Sequence, residues 1–372
     1  MKKIVFLIFI TFVQVTNAQK EIYQDTIPFR DDLGIIIIPI TFNGEIKQFA
    51  FDTGAQQTLA YSWAKESLQK TGRSTTITSS SGLKSNMLFY DSGTVSLGSR
   101  KITGHQILNT PENEIFSCYK IDGILGVDII KLFNWSIDYQ NKILIMYPSN
   151  YFPKKVTNMN PLDFTFQKGR PYIYLKVKKN RFKFLLDTGA GGSSNISKRN
   201  YSLSNIDEIP QTSFYSGSFD VNGIFTTTKP VIFQLPKASS KKVTLSPIIF
   251  YDNLKSSKIG NSLWEGQELF LSLKRKQLYI ASSHINEIHE SYSCSVIYHK
   301  RKIRIMRIQM GSDLWNEGVR QGDEVVRFDG KEFSDFCSLD QYQRKLARSG
   351  KPFTLQLANG KIFKVAKKAT LK

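Results

Sequence analysis

Two short stretches carry the strongest chemical signal: F-D-T-G-A at 51–55 and L-D-T-G-A at 186–190. They place Asp52 and Asp187 135 residues apart, each at the end of an apolar run. One Asp-Thr-Gly makes an ordinary turn, but two in matching settings point to a shared task. Two carboxyls in contact can hydrolyse a peptide bond. Held about 3 Å apart they cannot both ionise, so the pair shares one proton. The ionised member takes a proton from water while the protonated one polarises the carbonyl. The pair titrates as a unit, and residue types alone do not say which member holds the proton. The small neighbours suit that chemistry. Thr53 and Thr188 can lock the two turns together through hydroxyl-to-backbone bonds. Gly54 and Gly189 leave room for the turn and can aim N–H groups at the carboxylates. Ala55 and Ala190 are too small to crowd the pair.

Strands must deliver these turns. The approaches I-K-Q-F-A-F and F-K-F-L-L alternate as strands do. Ahead of Asp52 an Asn43-Gly44 pair between apolar runs predicts a hairpin; ahead of Asp187 the corresponding turn is expected at Asn180-Arg181. Downstream the halves repeat again. I-D-G-I-L-G-V-D-I-I at 121–130 precedes W-S-I-D-Y-Q-N-K-I-L-I-M-Y, and K-I-G-N-S-L-W at 258–264 precedes L-F-L-S-L-K-R-K-Q-L-Y-I. A whole β-rich unit is therefore written twice, each copy supplying one Asp to a cleft between them. Within the first copy, 59–68 predicts a brief helix and 71–94 exposed hairpins, with a flap tip at 81–83. In the second, 213–228 predicts a hairpin above the cleft, and 239–243 a polar loop. Phe214, Tyr215 and Phe225 could line that hairpin or belong to the core. Trp135 and Trp264 read as core. Asp122, Asp128 and Asp138 have no acidic counterparts in the second copy, so capping or surface roles are expected for them.

Composition narrows the alternatives. With 41% hydrophobic and 12% aromatic residues, 372 residues can build two or three cored domains, which excludes global disorder. The formal net charge of +20 comes from basic residues scattered through strands, without a nucleic-acid-binding signature. No nucleic-acid partner is expected. Only four histidines are present, none at metal-ligand spacing, so neither a metal nor a cofactor is expected. Three cysteines, Cys118, Cys294 and Cys337, allow one disulfide without choosing it, and argue against a disulfide-built fold. The N-terminus, basic at 1–3 and apolar at 4–13, with Ala18 at a cleavage position, reads as a secretory signal peptide. No later stretch could span a membrane as a helix.

The paired D-T-G-A motifs, followed by I-L-G and K-I-G ahead of closing hairpins, resemble the retropepsin-type aspartic peptidases over about residues 30–280, in a two-lobed plan similar to pepsin-like enzymes. The resemblance implies all-β lobes, each with an active-site Asp loop, a flap and a hydrophobic-hydrophobic-Gly segment bracing the loop. It makes Asp52 and Asp187 the dyad, and Gly126 and Gly260 the ends of the braces. The chain departs from the pattern where Gln56 and Gly191 follow D-T-G-A, since a hydroxyl residue is common there. The run G-A-G-G-S-S predicts a pliant second loop, and Lys258 in the second brace predicts a looser one. Residues 295–370 resemble a PDZ domain through G-S-D-L-W-N-E-G-V-R-Q-G-D-E-V-V-R-F-D-G, with turns at Gly318, Gly322 and Gly330 but no clear G-L-G-F loop. PDZ domains bind chain ends by adding a strand to an exposed edge. Secreted bacterial proteins of this arrangement are similar in outline.

The expected protein is all-β, with a signal peptide (1–18), a first lobe (19–148), a linker (149–160), a second lobe (161–280), a connector (281–294) and a PDZ-like unit (295–372). The expected function is aspartic endopeptidase action on a peptide or protein, by a secreted or periplasmic monomer whose PDZ-like unit engages substrate or a peptide partner. The alternative is a non-catalytic peptide binder using the same cleft.

Overall fold

A computed structural model describes residues 24–79, 82–177, 179–192, 194–203, 211–220, 223–227, 231–235, 237–251, 256–287 and 290–369. The signal peptide expected at 1–18 lies outside them, as does Ser81 of the expected flap tip. The chain is mostly β-strand, in several sheets. Among the described residues no helix is long and apolar enough to cross a membrane.

The first hairpin joins Ile37–Phe42 to Glu45–Phe51 in the register Phe42↔Glu45. Asn43 and Gly44 turn it with φ of 47° and 94°, the left-handed pair that suits strand twist. Both faces of the β-branched run are buried. Ile36, Ile38, Ile40 and Phe42 enter the largest core cluster, while Ile35 and Ile37 enter a second cluster on the opposite face. Arg170–Val177 and Asn180–Leu186 form the corresponding hairpin. In its register Val177 faces Asn180 and Lys176 faces Arg181, so the expected turn does not fall at Asn180-Arg181. Asn180 instead opens the strand, because keeping Phe182, Phe184 and Leu186 inward sets the register.

Each Asp-bearing strand then receives a parallel partner from its own half. Gly123–Leu125 pairs with Phe49–Phe51, and Lys258–Ile259 with Leu185–Leu186. The halves meet in one six-stranded sheet, ordered Asp25–Pro28, Ile143–Pro148, Phe133–Asp138, Glu268–Ser272, Gln277–Ile280, Asn160–Gln167. Its centre is the antiparallel pair Phe133–Asp138 and Glu268–Ser272, one strand from each half. Trp135 and Trp264 are fully buried in the core these elements share.

Three connecting stretches are more structured than their composition predicts. Residues 149–160 are packed rather than a free linker: the 3-10 turn Lys154–Asn158 buries Val156 against Tyr147 and Phe270, and Phe152 packs edge-on to Phe270. Aromatic burial outweighs the polar residues around it. The connector 281–294 contributes the strand His284–Asn286, parallel to Val243–Ser246, and Glu290–Tyr292, paired with Lys367–Ala369. The loop expected at 239–243 is a tight hairpin with Ser240↔Val243. In the first half, 59–68 divides into the strand Leu59–Ala60 and the helix Trp63–Ser67.

The hairpin expected to carry a flap in the first half is Gln69–Thr78 with Lys84–Asp91. In the second half Gln211–Asp220 pairs with Gly223–Thr227; the side chains of Phe214, Tyr215 and Phe225 lie outside the described ones. The C-terminal unit has its own core around Ile305, Phe328, Leu339 and Leu355. Its helix Phe336–Ser349 is capped by Asp335 and ended by Gly350 at φ 66°. This unit is fastened to both halves. Cys118 is disulfide-bonded to Cys337 on that helix, and Tyr119 Oη donates to Asp340 Oδ2 at 2.6 Å. From the other half, Phe214 and Tyr215 pair in backbone register with Gln309 and Ile308 of the strand Lys302–Gln309.

Candidate active site

Asp52 and Asp187 are brought together where the two halves meet. Asp52 N–H donates to Leu125 O at 2.9 Å and Asp187 N–H to Ile259 O at 3.1 Å, so each turn leaves its parallel pair in the same way. Both carboxyls flank one point: a Cβ on Gly54 would stand 2.6 Å from Asp187 Oδ1 and 3.0 Å from Asp52 Oδ1. A Cβ on Gly189 would stand 2.4 Å from Asp52 Oδ2. Each glycine thus makes room for the opposite carboxyl. Asp52 Oδ1 accepts from Gly54 N–H at 2.6 Å and Ala55 N–H at 3.1 Å, while Asp187 Oδ1 accepts from Gly189 N–H at 3.1 Å.

The two threonines form a reciprocal lock. Thr53 N–H donates to Thr188 Oγ1 at 3.0 Å and Thr188 N–H to Thr53 Oγ1 at 3.1 Å. Their hydroxyls donate onward to Leu186 O at 2.6 Å and Phe51 O at 2.8 Å. Both threonines are buried, so these bonds are unscreened by water. The alanines tie each turn to its brace through their carbonyls: Ala55 O accepts from Val127 N–H at 2.9 Å, and Ala190 O from Asn261 N–H at 2.8 Å.

Gly126 and Gly260 stand behind the turns. Gly126 N–H donates to Thr58 Oγ1 at 3.1 Å, and Gly260 N–H to Ser194 Oγ at 3.3 Å. These hydroxyls come from further along each loop than the position after D-T-G-A, which sequence reasoning singled out. The second loop is closely packed at Gly191, where a Cβ would stand 2.0 Å from Leu33 O, and a Cβ on Gly260 would stand 2.2 Å from Gly192 O. Gln56 donates its side-chain amide to Lys168 O, bridging the first turn to the second half.

Asp128 was expected at a cap or on the surface; it is buried. Its carboxylate accepts from Thr58 N–H, Thr58 Oγ1, Ile129 N–H and His105 Nε2 at 2.8–3.0 Å. Burial with four partners makes it a second anchor for the first brace. Asp122 accepts from Gln48 N–H and Asp138 from Asn141 N–H, both away from the pair. Cys294 is a free buried thiol, pushed up to about 12 by burial, and so no nucleophile.

Two further polar groups face the carboxyls. Lys258 Nζ lies 3.4 Å from Asp187 Oδ2, with both side chains largely buried. The Tyr61 hydroxyl is buried near Asp52 and is held protonated by burial and by the charge of Asp52. Burial and the charge of Asp187 raise Asp52 itself from an ordinary 3.8 to about 7, partly offset by the Gly54 N–H and by Lys258. The site can therefore hold a proton on a carboxyl at neutral pH.

No curated protein matches the chain. Residues 38–129, the stretch that holds Asp52, Thr58, Gly126 and Asp128, match the family described as aspartyl protease; an aspartic-protease-like domain is present there, which supports peptidase function of the aspartic type in general terms.

Proposed function

We propose that the chain is an aspartic endopeptidase whose dyad is Asp52 and Asp187. One observation carries this reading: two carboxyls from repeated motifs meet across a reciprocal threonine lock, each in a space left by the other turn's glycine. A mere turn needs no such partner. In this reading residues 19–148 and 161–280 are two lobes, and substrate lies between them under the two hairpins. Water held by the pair attacks the peptide carbonyl carbon. One carboxylate takes the water's proton while the other carboxyl gives its own to the carbonyl oxygen. The tetrahedral diol collapses as the C–N bond breaks, the amine takes up the first proton, and the second carboxyl regains its own.

The C-terminal unit, read as PDZ-like, acts here as a bracket. The Gln343 side chain accepts from Val296 N–H at 2.8 Å and donates to Val296 O at 3.3 Å. It occupies the edge of Cys294–His299 that an added peptide strand would use. Secretion or a periplasmic location is supported by the Cys118–Cys337 disulfide, which suits an oxidising compartment.

The test is cleavage of an unfolded protein between pH 3 and 8 by the full chain, by Asp52→Asn and by Asp187→Asn. Wild-type cleavage, unaffected by serine- and metallo-protease inhibitors, should fall at least about 10³-fold in each variant with circular dichroism unchanged. Binding of the same substrate without product would instead identify a peptide-binding cleft.

A further inference from the structure

We infer that Lys258 is a positioning residue that holds the negative charge of the pair on Asp187, leaving the proton on Asp52. The inference rests on reading the pair as a hydrolytic dyad, and gives its two members different roles. Asp187 takes the proton from water; Asp52 donates to the carbonyl oxygen.

The duplication makes the argument. Lys258 and Ile124 occupy related places, each one residue before the residue that pairs with the end of the Asp strand: Leu125↔Phe51 and Ile259↔Leu186. Ile124 is a buried apolar residue. Among the described residues, a cation therefore faces the pair from one side only. Its Nζ stands 3.4 Å from Asp187 Oδ2, the two side chains being 23% and 12% exposed, which limits screening by solvent. The backbone of Lys258 is held by its own bond to Asn195 Oδ1 at 3.1 Å, so the side chain leaves from a fixed point.

The backbone donors alone lean the other way, two to Asp52 and one to Asp187. Both donors to Asp52 end on Oδ1, however, so Oδ2 is free to carry the proton. A full charge outweighs one additional neutral N–H. The remaining titratable neighbour among the described residues is Tyr61, beyond Leu59–Ala60, and it stays neutral. The threonine hydroxyls and the turn backbone that also flank the pair do not titrate.

Removing an adjacent cation raises the pKa of a carboxyl by about 1–3 units. Lys258→Met should therefore move the acid limb of the kcat/KM–pH profile up by about one unit, with the alkaline limb following in the same direction. Lys258→Arg should keep the wild-type profile. A purely structural role would lower activity evenly across pH, and coincident limbs would overturn the inference. The second measurement does not need activity: ¹³C titration of the Asp side-chain carboxyls in the full chain, with Asp52→Asn and Asp187→Asn assigning the signals. The first ionisation should belong to Asp187 and rise in Lys258→Met. First ionisation at Asp52, or values unmoved by Lys258→Met, would sink the assignment even in a protein that cleaves nothing. Absence of cleavage with the expected titration would sink only the peptidase reading.

Discussion

The two Asp turns share a backbone and differ in charge. Both have the threonine lock, the glycine that admits the opposite carboxyl, and a hydroxyl on the bracing glycine. Around the first, Asp128 and His105 form a buried polar anchor behind Gly126. Around the second, the position after the brace is Asn261, whose amide donates to Thr188 O at 2.7 Å and Gly34 O at 3.1 Å, followed by Ser262 bonded to Gly192 O. Lys258 replaces an apolar residue only in the second. Duplication has kept what sets distances and let the electrostatics of the halves separate.

The shared part should break most severely. Gly189→Ala and Gly54→Ala each drive a methyl into the opposite carboxyl at under 3.0 Å. Each should abolish hydrolysis, by about 10³-fold or more in kcat/KM; full activity in either would show that the carboxyls need not meet. The halves should then differ in their anchors. Asp128→Ala, which leaves four partners unsatisfied, is expected to cost about 3–4 kcal/mol in urea unfolding, whereas Ser262→Ala should cost about 1 kcal/mol. Equal losses would remove the contrast.

The attachment of the C-terminal unit differs likewise: covalent to the first half, by strand pairing to the second. Replacing both Cys118 and Cys337 by Ser should lower stability by about 2–4 kcal/mol. Hydrogen exchange should then quicken in Phe336–Ser349 ahead of Lys302–Gln309.

A smaller effect tests the charge asymmetry through stability. The value of about 7 at Asp52 lies above the ordinary 3.8, so the native state binds this proton more tightly than the unfolded chain. That contribution is fully present below about pH 4 and is lost as pH rises through about 7. Asp52→Asn removes the dependence. It should be more stable than wild type at pH 8 by on the order of 2 kcal/mol, discounted because the pair titrates together, with the gain shrinking toward pH 4. A gain independent of pH would place the effect outside the carboxyl.

Much of the site was readable because its parts are local. Asp-Thr-Gly specifies a turn by its own chemistry, alternation marks the strand before it, and a second copy implies a partner. The same residues could not reveal Lys258, which read as a flaw in an apolar brace. They could not reveal Thr58 and Ser194, which act one turn later than the expected hydroxyl position. Gly191 looked like slack, yet it admits Leu33 O from a segment over 150 residues earlier. Asp128 looked peripheral because its four partners come from three separate places in the chain.

What the amino-acid sequence determined by itself was therefore the repeated unit, its strands and the two acids at their ends, all written within a few residues through turn chemistry and side-chain periodicity. The tertiary structure alone decided which cysteines join, how the C-terminal unit straps both halves, and which acid has a cation at its side. Those depend on distances between residues remote in sequence. Hydrogen bonding and Coulomb attraction act through space over a few ångströms, and the order of residues along a chain does not contain those distances until it folds.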